Sequence, residues 1–82
     1  MPTVARFHAL RVVIYPNDHR PAHVHVIGPD GEAVFFLNCP DGPPQLRECY
    51  GFKLKAVKMI GQELERLLAS LCQTWKEMHG ND

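Results

Sequence analysis

Hydrophobic positions along this chain change their period once, and the change divides it into a β part and a helical part. Residues 5–15, Ala-Arg-Phe-His-Ala-Leu-Arg-Val-Val-Ile-Tyr, are rich in β-branched and aromatic side chains and carry no helix cap, which predicts a strand. Its end, Val12 to Tyr15, is apolar on both faces, as a central or doubly covered strand is. Pro16-Asn17-Asp18-His19-Arg20-Pro21 reads as a loop, because proline donates nothing to a ladder and Asn-Asp pairs form turns. Residues 22–27, Ala-His-Val-His-Val-Ile, alternate with period two, so Ala22, Val24 and Val26 share one face and His23, His25 and Ile27 the other. Gly28-Pro29-Asp30-Gly31 predicts a hairpin turn, with proline setting the first dihedral and glycine supplying a positive φ. Residues 32–38 return as the third strand.

The alternation also selects a register. With Ile27 facing Glu32, the pairs Val26–Ala33, Val24–Phe35 and Ala22–Leu37 all fall on the core face, while His25 faces Val34 and His23 faces Phe36. A slip of one residue would mix the two sets. On this reading Ile27, Val34 and Phe36 become an exposed patch unless something covers the histidine face, and such a patch would mark a partner or a homodimer.

Residues 39–44, Cys-Pro-Asp-Gly-Pro-Pro, form a stiff loop. Residues 45–50 fit either a helical turn or an extended piece, ended by Gly51. From Lys53 the period becomes 3.6: Leu54, Val57, Ile60, Leu64, Leu67, Leu68, Leu71, Trp75 and Met78 form one stripe. One straight helix of that extent would be about 39 Å long. The sheet strands span only about 20–36 Å. A bend near Gly61 to Glu63, or a helix pair, is therefore expected, with Gly80 as terminator. The fold class expected is α+β: a three-stranded antiparallel sheet over about 4–38, the proline-rich loop 39–44, and a helical part over about 53–79 packed on one face.

Composition bounds this picture. The 82 residues allow a single domain, 1–82, with a thin core. Nine basic and nine acidic side chains cancel, which gives no argument for RNA, DNA or membrane. The balance is uneven along the chain: residues 47–58 carry +3 and residues 59–82 carry −2. No run approaches the ~20 apolar residues of a membrane span, and the N-terminus lacks a signal-peptide core, so a cytoplasmic protein is expected. Three cysteines without a CxxC argue against a disulfide framework and for reduced thiols.

The candidate chemistry lies in Asp18-His19-Arg20-Pro21-Ala22-His23-Val24-His25. A His-x-His pair on a strand points two imidazoles to one side about 6–7 Å apart, and a loop histidine can close on them. His19, His23 and His25, with Asp18 as a ligand or an orienting group, could thus hold a divalent metal, Zn²⁺ or similar. Without metal, His23 and His25 could act as catalytic acid and base, and Arg20 or Arg11 could hold a phosphate, which would suit RNA cleavage. The ordinary alternative is structural: turn histidines bond to backbone carbonyls, and strand histidines stand half-exposed. His8, on the first strand, and His79, at the helix end, are weaker candidates.

Met1 to Phe7, Val13-Ile14-Tyr15, the run Asp18 to Val26, Gly31 to Phe35, Glu48 to Phe52 and the late Trp75 together closely resemble domain-of-unknown-function family 4160, a group of small bacterial proteins. The Asp-His-x-Pro-x-His-x-His-Val run is the most specific element. Ala22 stands where a second proline is expected. The resemblance implies no defined activity. It implies a gene often found beside another very small one, and hence a protein-interaction component of a toxin–antitoxin-type pair with a small protein partner; the residues themselves make the His19, His23 and His25 cluster the expected working surface.

Overall fold

The computed structural model describes residues 3–80. Met1, Pro2, Asn81 and Asp82 lie outside it, and with them the first two residues of the opening motif and one acid of the negative C-terminal stretch. The order of elements is β1 (Thr3–Phe7), β2 (Leu10–Val13), β3 (His23–Gly28), β4 (Gly31–Phe36), β5 (Gln45–Tyr50), α1 (Leu54–Arg66) and α2 (Leu68–His79). The strands form one antiparallel sheet in the order β1-β2-β3-β4-β5.

The sheet thus has five strands where three were expected. The stretch read as one strand over 5–15 folds back on itself at His8 and Ala9, whose φ angles of 50° and 62° both lie in the left-handed region of a two-residue hairpin turn. Neither residue is the Asn or Gly that announces such a turn, so the apolar run hides it. His8 accordingly sits on this turn rather than on a strand. The fifth strand is the ambiguous segment 45–50, which pairs with β4 and ends at Gly51, φ 87°.

The β3–β4 register is the expected one. Ile27 pairs with Glu32, Val26 with Ala33, Val24 with Phe35, His25 with Val34 and His23 with Phe36. Beyond the ladder the Leu37 N–H donates to the Ala22 carbonyl at 3.0 Å. The turn between them is Pro29-Asp30, but Gly31 is not in the positive-φ region. Glycine is required there because an added Cβ would collide with the carbonyl oxygen of Tyr50 on β5.

One sheet face carries Leu10, Val12, Ile14, Val24, Val26, Ala33, Phe35 and Leu37. These side chains pack with Ile60 and Leu64 of α1 and Leu68, Leu71 and Trp75 of α2. The helical stripe covers that face as expected, except that Leu54 at its start is exposed. The break falls at Leu67 (φ −97°, ψ 5°), and Gly61 stays inside α1. Leu68 lies in the core and Leu67 is partly buried against it. Gly80, φ 82°, closes α2 as expected.

Cys39 and Cys72 form a disulfide, a correction to the reading of three reduced thiols; Cys49 is free. The two half-cystines are 33 residues apart in sequence, and only the packing of α2 beside the end of β4 brings their Cα atoms to 5.8 Å. Among the described residues no helix is long and apolar enough to cross a membrane.

Candidate metal site

The opposite sheet face is not an open apolar patch. Val13, His25 and Val34 lie side by side in register across β2, β3 and β4, and both valines are buried. Tyr15 sets its ring edge-on to His25, centroids 4.9 Å apart. The loop 16–21 folds over the same place and delivers Asp18. Its position comes from the turn Tyr15-Pro16-Asn17-Asp18, which is closed in both directions. The Asp18 N–H donates to the Tyr15 carbonyl at 3.0 Å, and the Tyr15 N–H donates to Asp18 Oδ2 at 3.0 Å. Proline at the second position of such a turn pre-sets its φ.

Asp18 Oδ2 stands 3.5 Å from His23 Nε2 and 3.4 Å from His25 Nε2. Asp18, His23 and His25 each offer one ligand atom, and these atoms all lie within 4.8 Å of one another. The other nitrogen of each ring is accounted for separately. His23 Nδ1 is 2.9 Å from the Pro21 carbonyl, which can only accept, so Nδ1 carries the proton and the Nε2 of the neutral ring keeps its lone pair. His25 Nδ1 lies 3.4 Å from Glu32 Oε2. Both nitrogens of His25 are buried and make no hydrogen bond. Each nitrogen instead faces a carboxylate oxygen at 3.4 Å, Asp18 on one side and Glu32 on the other.

Two of the three ligand-atom spacings match those around a divalent ion, and the whole set lies within 4.8 Å. Bonds of about 2.0–2.1 Å in a tetrahedron place ligand atoms about 3.3–3.4 Å apart. The two Nε2–Oδ2 separations, 3.5 and 3.4 Å, are of that size. Two imidazoles and one carboxylate form a borderline donor set that suits zinc and its neighbours, and three protein ligands leave a position open. Asp18, His23 and His25 line one cleft together with His19, Arg20, Phe36 and Arg47.

The expected cluster is therefore met in part. Asp18, His23 and His25 converge, whereas His19 is exposed and outside the set of ligand atoms, because the closed turn points Asp18, not its neighbour, at the strand. His23 is 6% exposed, in contrast to the half-exposed ring expected of a surface strand. Its ring lies between His25 and Trp75, 5.3 Å from each, and Trp75 in turn stacks on His79 at 4.0 Å. Three residues around the site were not anticipated as part of it. Glu32 is the diagonal neighbour of His25 in the β3–β4 register, so the register held that signal. Arg47 enters through a β-bulge: Phe35 pairs with Leu46 and Val34 with Glu48, which leaves Arg47 as the extra residue. Its guanidinium lies over the Phe36 ring, 5.9 Å from the centroid. Trp75 comes from α2, and nothing in the strand pattern points to it.

The family model described as Domain of unknown function (DUF4160) matches residues 10–76, a span that contains Asp18, His23, His25, Glu32, Arg47 and Trp75. No curated protein and no solved structure matches the chain.

Proposed function

Because the chain belongs to the domain-of-unknown-function family DUF4160, its chemistry has to be read from its own side chains, and we propose that it is a divalent-metal-binding domain with Asp18, His23 and His25 as ligands. The observation that carries this reading is the convergence of two imidazole Nε2 atoms on one carboxylate oxygen, at 3.5 and 3.4 Å, while the Nδ1 atoms face a carbonyl and a second carboxylate. Oxygen acceptors behind ligating histidines orient the rings and raise their basicity. A bound ion would supply Lewis acidity to a ligand oxygen at the open position.

The same geometry argues against His23 and His25 as a metal-free acid–base pair for RNA cleavage. Such a pair must reach opposite sides of the reacting group. Here both Nε2 atoms face the same carboxylate, and His23 is buried against Trp75.

The test is calorimetric titration of the purified protein with Zn²⁺. One ion should bind per chain, Asp18→Ala, His23→Gln and His25→Gln should each abolish or cripple binding, and His19→Ala should retain it. Equal losses in all four variants, or no binding to the parent protein, would remove the proposal.

A second reading is kept, that of a small cytoplasmic component of a toxin–antitoxin-type pair that engages a protein partner or another copy of itself. One observation favours it. The edge strand β5 and the residues after it expose Leu46, Tyr50 and Leu54, at 42%, 65% and 70%, and an exposed edge strand is a template for pairing. Co-expression with the neighbouring gene product should yield a stable complex. A monomer that ignores that product would count against it.

A further inference from the structure

We infer that two copies of this chain pair through the outer edge of β5, antiparallel about a two-fold axis, with Arg47 of each copy opposite Glu48 of the other. This rests on the second reading above and commits it to one occupant of the edge, a second copy.

The edge is open and carries the exposed apolar side chains. β5 ends the sheet, so its outer side pairs with no strand among the described residues. Among those residues the large exposed hydrophobic side chains are Leu46 and Tyr50, both on β5, and Leu54, just beyond it. An unpaired strand edge beside exposed apolar groups is what strand addition uses.

The bulge makes a second copy the fitting partner. In a regular strand, residues three apart lie on opposite faces. Here Leu46 pairs with Phe35 and Cys49 with Ala33, which are two apart on β4, so Leu46 and Cys49 share the helix-covered face. Gln45, Glu48 and Tyr50 pair with Phe36, Val34 and Glu32 and share the histidine face. Arg47, the extra residue, lies over the Phe36 ring and joins them there. Laid antiparallel on a copy of itself and centred between Arg47 and Glu48, the strand Gln45–Tyr50 pairs Gln45 with Tyr50, Leu46 with Cys49 and Arg47 with Glu48. Both members of every pair then come from one face, and the two sheets continue into each other with their helices on the same side. Without the bulge each of these pairs would bring opposite faces together.

Charge selects the same register. The two central pairs set guanidinium against carboxylate, twice by symmetry. A shift of one residue in either direction would set Arg47 against Arg47 or Glu48 against Glu48, which repels. The Tyr50 hydroxyl donates to Glu48 Oε2 at 2.8 Å, which leaves the other oxygen of that carboxylate for the arginine across the axis.

The test is sedimentation of the full chain from about 1 μM to about 1 mM, a range that covers contacts of this small size. The parent protein should pass from monomer to dimer. Arg47→Glu and Glu48→Arg each set like charges opposite one another at two places, and each should weaken dimerisation about tenfold or more. The double variant Arg47→Glu/Glu48→Arg exchanges the charges and should dimerise within about threefold of the parent. Damage to the fold by the single changes would add up in the double variant, so its recovery separates pairing from structure. A parent that stays monomeric, single variants that dimerise like the parent, or a double variant as weak as the singles would overturn the inference. Complex formation with the neighbouring gene product is measured beside it. A monomeric chain that still forms that complex overturns the self-pairing and keeps the second reading; a chain that forms neither overturns both.

Discussion

The imidazole of His23 lies 5.3 Å from the indole of Trp75, ring centre to ring centre, with its Nε2 turned to Asp18 at 3.5 Å. Trp75 is the sole tryptophan of the chain. A paramagnetic ion at the Asp18/His23/His25 site would therefore sit within one side chain of the only indole. Titration with Ni²⁺ should quench its fluorescence to an end point at one equivalent, whereas Ca²⁺, which prefers oxygen ligands, should not. Unchanged emission at saturating Ni²⁺ would contradict the proposed location.

Glu32 lies behind His25 and not among the ligand atoms. Glu32→Gln should lower Zn²⁺ affinity about tenfold without changing the stoichiometry, the usual scale for an orienting carboxylate. The same calorimetric titration reads it. An affinity within twofold of the parent would mean that Glu32 does not orient the ring.

The Cys39–Cys72 link ties the proline-rich loop to α2 one turn before Trp75. Closing a 33-residue separation should contribute about 2–4 kcal/mol in the chain-entropy view. The double variant Cys39→Ser/Cys72→Ser should lose stability of that order in urea unfolding under non-reducing conditions. A midpoint equal to that of the parent would show that the pair does not close in solution.

Gly61 sits inside α1, and an added Cβ would meet Phe35 Cε2 at an ordinary 3.7 Å. Gly61→Ala should therefore stabilise the protein, by about 0.5–1 kcal/mol from helix propensity. Thermal unfolding measures it. A destabilised variant would indicate that the helix needs glycine at this point after all.

The phenol of Tyr50 is held above its ordinary value of 10.0, first by its hydrogen bond to Glu48 and then by the charge of that carboxylate. The bond belongs to the neutral phenol, so its contribution is complete below the ordinary value and disappears as pH rises through the raised one. In a Tyr15→Phe background, ultraviolet titration of Glu48→Ala should show phenolate forming at lower pH than in the Glu48 protein. Coincident curves would refute the assignment. The phenol is solvent-exposed, and the effect belongs to titration rather than to stability.

How far sequence reasoning reaches is clearest at β3 and β4. Alternation over 22–27 and the Gly-Pro-Asp-Gly turn leave one register that keeps Val24, Val26, Ala33 and Phe35 together, and that register stands in the structure. Once it is set, His23 and His25 must share a face, and Glu32 must lie diagonal to His25. The helical stripe likewise follows from its period alone.

Other features depend on contacts between segments distant in sequence. The turn at His8 and Ala9 carries no turn chemistry, and β5 becomes a strand only because β4 offers an edge. Gly61 is the weakest helix former of α1, yet it stays helical and the chain breaks at Leu67. Cys39 and Cys72 meet only when α2 docks. At the site, local patterning presents two imidazoles on one side of a strand. Selection of Asp18 over His19 as the third group, the burial of His23 under Trp75 and the arrival of Arg47 through a bulge come from a turn, a helix and a neighbouring strand, each positioned by packing that no short window of residues encodes.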